Sequence, residues 1–174
     1  AQSRDEVRSR YVAAPDPAIT DDLLDATADR LPNSLSDRCD LALTDLVHLA
    51  TAPTSAHRAE LGLLLQDVDV RDWVLVHLCT SEPDLEGVEA LTQLALSAPE
   101  GLRPRLAGAA AAALHAAAGS PVGVWALIEE AGTDSLARLV AMALESCLPP
   151  TGLRESFQDA LPRLEQRLRE KARA

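Results

Sequence analysis

Aromatic side chains are nearly missing from this chain. Two tryptophans, one tyrosine and one phenylalanine stand among 174 residues. A core built without them must be filled by leucine, alanine and valine. Alanine and leucine are strong helix formers, and the β-branched and aromatic residues that favour strands are scarce apart from valine. No segment alternates apolar and polar residues long enough to be a strand. These shortages argue against a sheet and predict an all-α protein, either an antiparallel helical bundle or a tetratricopeptide-like helical array.

Cysteine is equally sparse. Cys39, Cys79 and Cys147 are far apart and odd in number, and no C-x-x-C occurs, so neither a disulfide framework nor a zinc ribbon is indicated. Cys39 and Cys147 fall on apolar stripes and read as small core residues, while Cys79, beside Thr80 and Ser81 at a helix end, reads as accessible. No apolar run approaches the ~18 residues that cross a bilayer, and no signal peptide opens the chain, so the expectation is a cytoplasmic protein without a membrane partner. Ala1 rather than methionine stands first, which reads as a processed chain or a piece of a longer one. A Gly-rich phosphate loop, a nucleophile elbow and H-E-x-x-H are all lacking. The expectation is no catalytic residue, no cofactor and no bound metal.

Positive charge is the next shortage, and it is unevenly placed. Net charge is −11; through Glu100 there are 7 Arg against 19 Asp and Glu, whereas beyond it 9 Arg and Lys face 8 acids. An acidic body repels phosphate backbones, so no nucleic-acid partner is expected. The late cluster Arg163, Arg167, Arg169, Lys171 and Arg173 is interrupted by Glu165 and Glu170 and reads as a solvated amphipathic helix.

What the sequence has in plenty is helix signals. Ser3 caps SRDEVRSRYV, and the prolines of AAPDPAIT end it, giving an N-terminal helix and proline-containing arm over 1–18 and a single helical domain over 19–174. Helices follow from Thr20, from Ser36 and from TSAHRAE; in the second of these Cys39, Ala42, Leu43, Leu46 and Ala50 share a stripe. VDVRDWVLV is the best strand candidate but fits a helix capped by Asp67 or Asp69 better. EPDLEGVEALTQLALSA, LRPRLAGAAAAALHAAAG, PVGVWALIEEAG and TDSLARLVAMALESCL come next. The last helix, from TGLRESFQDA, is expected to break or kink at Pro162. ALTQLALSAPEGLR and RLVAMALESCLPPTGLR echo one another, a hint of repetition.

The stretch AGAAAAALHAAAG (Ala107 to Gly119) decides how these helices pack. Ala110, Ala113 and Ala117 lie beside Leu106, with Leu114 at the edge; Gly108, Ala111 and His115 occupy the opposite side. Neither face carries charge, so a helix sandwiched between neighbours is predicted. Gly119 ends it, and Pro121 opens the next helix at its favoured first position.

SRDEV, VRDWVL (Val70 to Leu75) and DSLARLVAMALESCLPP (Asp134 to Pro150) resemble an actinobacterial family catalogued as domain of unknown function 4192. The resemblance covers most of the chain but only the helical second half of that family; its α/β first half is absent. It implies a helical hairpin followed by a helix ending in a Pro-Pro turn. The family often has a tryptophan before the inter-helix turn, where this chain has Leu114 and His115; the turn here is Gly119-Ser120-Pro121, and Trp125 lies in the next helix. The family's activity is uncharacterised, so the resemblance supplies fold and taxonomy.

Asp67, Asp69 and Asp72 form D-x-D-x-x-D, which lacks the glycine and later glutamate of a calcium loop and is explained by helix capping. His77 shares a stripe with Val70, Trp73, Val74 and Leu78 and is expected to point inward. His48 shares a polar face with Thr44 and Asp45, and His57 sits near a helix start beside Arg58; neither has a partner visible in sequence. The reading that follows is a non-catalytic helical scaffold or interaction domain binding a protein. The alternative is a small-ligand or regulatory domain, part of a larger protein. His115, Trp125 and Arg138 mark the expected groove between helices.

Overall fold

In the computed structural model, residues 3–173 are described, with side chains through 172. Ten helices and no strand occur among them: α1 Arg4–Ser9, α2 Asp21–Ala28, α3 Leu35–Thr51, α4 Ser55–Leu64, α5 Val68–Leu78, α6 Leu85–Ser97, α7 Arg103–Ala116, α8 Pro121–Ala131, α9 Ser135–Glu145 and α10 Pro150–Arg173. The all-α expectation holds.

Local chemistry explains most of the starts. Side chains of Ser3, Thr20, Ser34, Thr54, Asp67, Asp84 and Asp134 each accept a hydrogen bond from a first-turn N–H, and Ser3 with Glu6 closes a reciprocal capping box. α3 therefore begins at Leu35, one residue before Ser36, because Ser34 Oγ accepts from Asp37 N–H as the cap and leaves Ser36 inside the first turn. α8 opens on Pro121 as expected.

α7 is the centre of the molecule. It packs against α5, α6, α8, α9 and α10, and every residue from Leu106 to Ala116 is buried. Small side chains all round allow this, since a methyl is all that separates one backbone from the next. At Gly108 even a methyl is too much: a Cβ there would collide with the Asp134 carboxylate that caps α9. The sandwiched helix predicted from the alanine stretch is what the structure contains.

The end of α7 differs from expectation. Gly119 N–H donates to Leu114 O, but the left-handed residue is Ala118, at φ 57°. α9 closes in the same way, with Leu148 N–H donating to Ala143 O and Cys147 at φ 54°. This turn puts Cys147 outside the helix and in solvent, so it is not the core residue its stripe suggested.

α10 crosses back to α3, α5 and α7. Leu164 is buried, and Leu153, Phe157 and Leu168 pack half-buried against the core. Gln158 Nε2 donates to the Val76 and Cys79 carbonyls at the end of α5. Arg154 donates to Ala116 O at the end of α7. Both satisfy carbonyls that a helix terminus leaves without partners. The helix does not break at Pro162; that proline is exposed, so its ring meets solvent while Leu161 and Leu164 hold the flanking turns. The described residues of the basic cluster lie on the exposed face of α10, as expected, and two of them, Arg167 and Lys171, reach Asp69 at 2.8 and 2.7 Å. The side chain of Arg173 lies outside the described residues.

The N-terminal arm is fastened at several points. Arg8 pairs with Glu129 on α8, and Ala14 and Asp16 N–H groups donate to Leu96 and Ser97 carbonyls ending α6. The Asp16 carboxylate accepts from Ser55 Oγ at 2.7 Å and Arg58 at 3.0 Å.

Candidate functional site

Among the described residues, a group of side chains able to ligate a metal ion lies across the α3–α4 hairpin. Asp45 and His48 are three residues apart on α3 and so share a face. The link Ala52–Thr54 is only three residues long and turns the chain back on itself. His57 then falls in the first turn of α4, and Glu60 one turn further along. Antiparallel register does the rest: His48 meets His57, ring centroids 4.6 Å apart, and Asp45 meets Glu60. A carboxylate oxygen of Asp45 and a ring nitrogen from each histidine lie within 4.8 Å of one another.

The environments differ sharply within this cluster. Asp45 is 1% exposed, and its Oδ2 has no hydrogen-bond partner. Burial, with the Glu60 carboxylate beside it, raises the Asp45 carboxyl well above the usual carboxylate range. His48 is exposed and His57 half-buried, so the cluster opens to solvent on the histidine side. Thr54 Oγ1 lies 3.0 Å from Nδ1 of His57 and leaves Nε2 as its free nitrogen.

Sequence reasoning missed this group. It placed Asp45 on an exposed polar face with His48 and Thr44, but Asp45 turns into the helix interface. The available signal was D-x-x-H followed, across a short proline link, by H-x-x-E. Only the hairpin register makes those two pairs meet.

Other residues singled out from the sequence are dispersed. Asp67 caps α5 through Asp69 N–H, Asp69 holds Arg167 and Lys171, and Asp72 pairs with Arg71 at 2.7 Å. The cations facing D-x-D-x-x-D are the protein's own side chains. His77 is exposed, not inward, with Nδ1 2.7 Å from Trp73 O and its ring over Trp73. The stripe mispredicted it because Trp73 itself sits half-buried at the edge of the core. Cys79 is fully buried under the α10 crossing rather than accessible, and Cys39 is buried as expected. Burial pushes both thiols up to about 12; the carboxylates of Asp67, Asp40 and Asp69 add to it at Cys39, and Arg154 opposes it at Cys79.

His115 is buried in α7 with Nε2 unpartnered, Trp125 on α8 is 39% exposed, and Arg138 on α9 is exposed. They do not line the open groove of about 720 Å³ that lies between α3, α4 and α6 with Leu49, Arg58, Leu85, Glu89 and Gln93 on its walls. Among the described residues no helix is long and apolar enough to cross a membrane.

No protein-family model, curated protein or solved structure matches this chain.

Proposed function

We propose that this chain is a non-catalytic helical interaction domain that binds another protein. One observation carries the reading: Leu139 and Met142, one turn apart on α9, are 62% and 60% exposed. α9 buries Leu136, Ala137 and Val140 against α7 and α8 and leaves this second apolar face uncovered. Exposed leucine and methionine at helical spacing, with the exposed Arg138 next to Leu139 in the chain and Trp125 exposed on α8, have the composition of a binding surface. An acidic body gives no support to nucleic acid as the partner. A cytoplasmic setting and descent from the helical half of the actinobacterial family named above belong to the same proposal. So does the architecture: the return of α10 to α3 and α5 favours an antiparallel bundle over a tetratricopeptide-like array, in which each unit touches only its neighbours.

The test is affinity capture with wild type, with Leu139→Asp/Met142→Asp, and with Val12→Asp as a control at another exposed apolar site. A partner retained by wild type and by the control but lost by the α9 variant is the expected result. Identical retention by all three would overturn the reading. The groove between α3, α4 and α6 favours a second reading, a small-ligand domain, and a saturable thermal shift with a metabolite would support it.

A further inference from the structure

We propose that Asp45, His48 and His57 bind one divalent first-row transition-metal cation, of the zinc class, with Glu60 positioning the Asp45 carboxylate. Two imidazole nitrogens and one carboxylate oxygen suit zinc and its neighbours; magnesium and calcium prefer oxygen donors alone. Zinc bonds of about 2.0–2.1 Å place tetrahedral donors about 3.3 Å apart. The three donors stand within 4.8 Å. Rotation of His48, exposed and held by no hydrogen bond to its ring among the described residues, closes the difference.

Three features point to a cation rather than to a fortuitous gathering of polar groups. Asp45 is buried with an Oδ2 that no N–H or hydroxyl donor satisfies, and without a cation only a proton shared with Glu60 compensates its carboxyl. Glu60 faces it, so two acidic groups meet in the helix interface where a positive charge would neutralise both. Thr54 Oγ1, 3.0 Å from Nδ1 of His57, holds the His57 ring in place beside Asp45 and His48, the kind of hydrogen bond that orients a metal-binding imidazole. Three protein donors leave a fourth position of a tetrahedral ion open to water on the solvent side.

Calorimetric titration of the chain with zinc chloride in a non-chelating buffer tests this. The expected result is one equivalent bound at micromolar affinity or tighter. The affinity should fall at least tenfold in His48→Ala, which alters an exposed residue and leaves the core intact. It should become unmeasurable in His48→Ala/His57→Ala, and Cys147→Ser should bind as wild type does. Cobalt(II) in place of zinc should give visible bands without thiolate charge transfer. Zinc should raise the melting temperature of wild type and leave the double variant unmoved, a readout that also shows whether the variant folds. Absence of saturable binding, or binding retained by the folded double variant, would overturn the proposal.

Discussion

At the scale of single residues, burial separates three cysteines that the sequence ranks in the wrong order. Cys79 looks reachable because it ends a helix beside Thr80 and Ser81, yet α10, far along the chain, covers it and Gln158 bonds its carbonyl. Cys147 looks internal by stripe, yet the left-handed turn after α9 swings it into solvent. Thiolate is the reactive form, and burial pushes the Cys39 and Cys79 thiols up to about 12. Reaction of the native protein with a disulfide reagent at neutral pH should therefore modify Cys147 alone, and denaturation should release the other two. Peptide mapping reads the result; rapid labelling of Cys79 in the native state would show that the α10 crossing is open. The inversion has a physical cause. A helical stripe reports burial only while the helix lasts and only from contacts made by neighbours on that side. Asp45 fails to declare itself for the same reason, since its burial comes from α4 folding back onto α3.

At the scale of elements, α7 shows how much a local pattern can reveal. Uncharged small residues on both faces of AGAAAAALHAAAG leave no side for solvent, and the structure buries Ala111 and Ala113 alike, at 0% exposure. Leucine nearly matches alanine in helix propensity, so its introduction tests packing rather than helix formation. Ala111→Leu and Ala113→Leu should each destabilise by ~1–3 kcal/mol, the usual cost of overpacking. Ala26→Leu, at an exposed position of α2, should be close to neutral. Chemical denaturation measures all three, and a neutral Ala111→Leu would mean that the face it shares with His115 has room to spare. Helix starts were similarly legible, because a capping serine, threonine or aspartate acts within one turn of itself. Ends and breaks were less so. Pro162 lies inside α10 because Leu164 and Leu168 beyond it pack on the core and hold the second half of the helix in place, a fact about tertiary position that no local rule contains.

At the scale of the whole molecule, the uneven charge of the sequence acquires a meaning that composition alone could not give it. Part of the contrast between the acidic first hundred residues and the arginine-rich end is met within the molecule: Asp69, opening α5, holds Arg167 and Lys171 of α10. Such exposed pairs contribute little energy singly, and their role is to register α10 over α3 and α5. The central claim is that α7 is the hub of one cooperative unit, enclosed by α5, α6, α8, α9 and α10. Native-state hydrogen exchange tests this most directly. Amides of Leu106–Ala116 should exchange only through global unfolding, with the same opening free energy as the most protected amides of α5 and α6, while α1, which buries no residue, exchanges by local fraying. Exchange of the α7 amides at the rate of α1, or by an opening well below the global free energy, would contradict it.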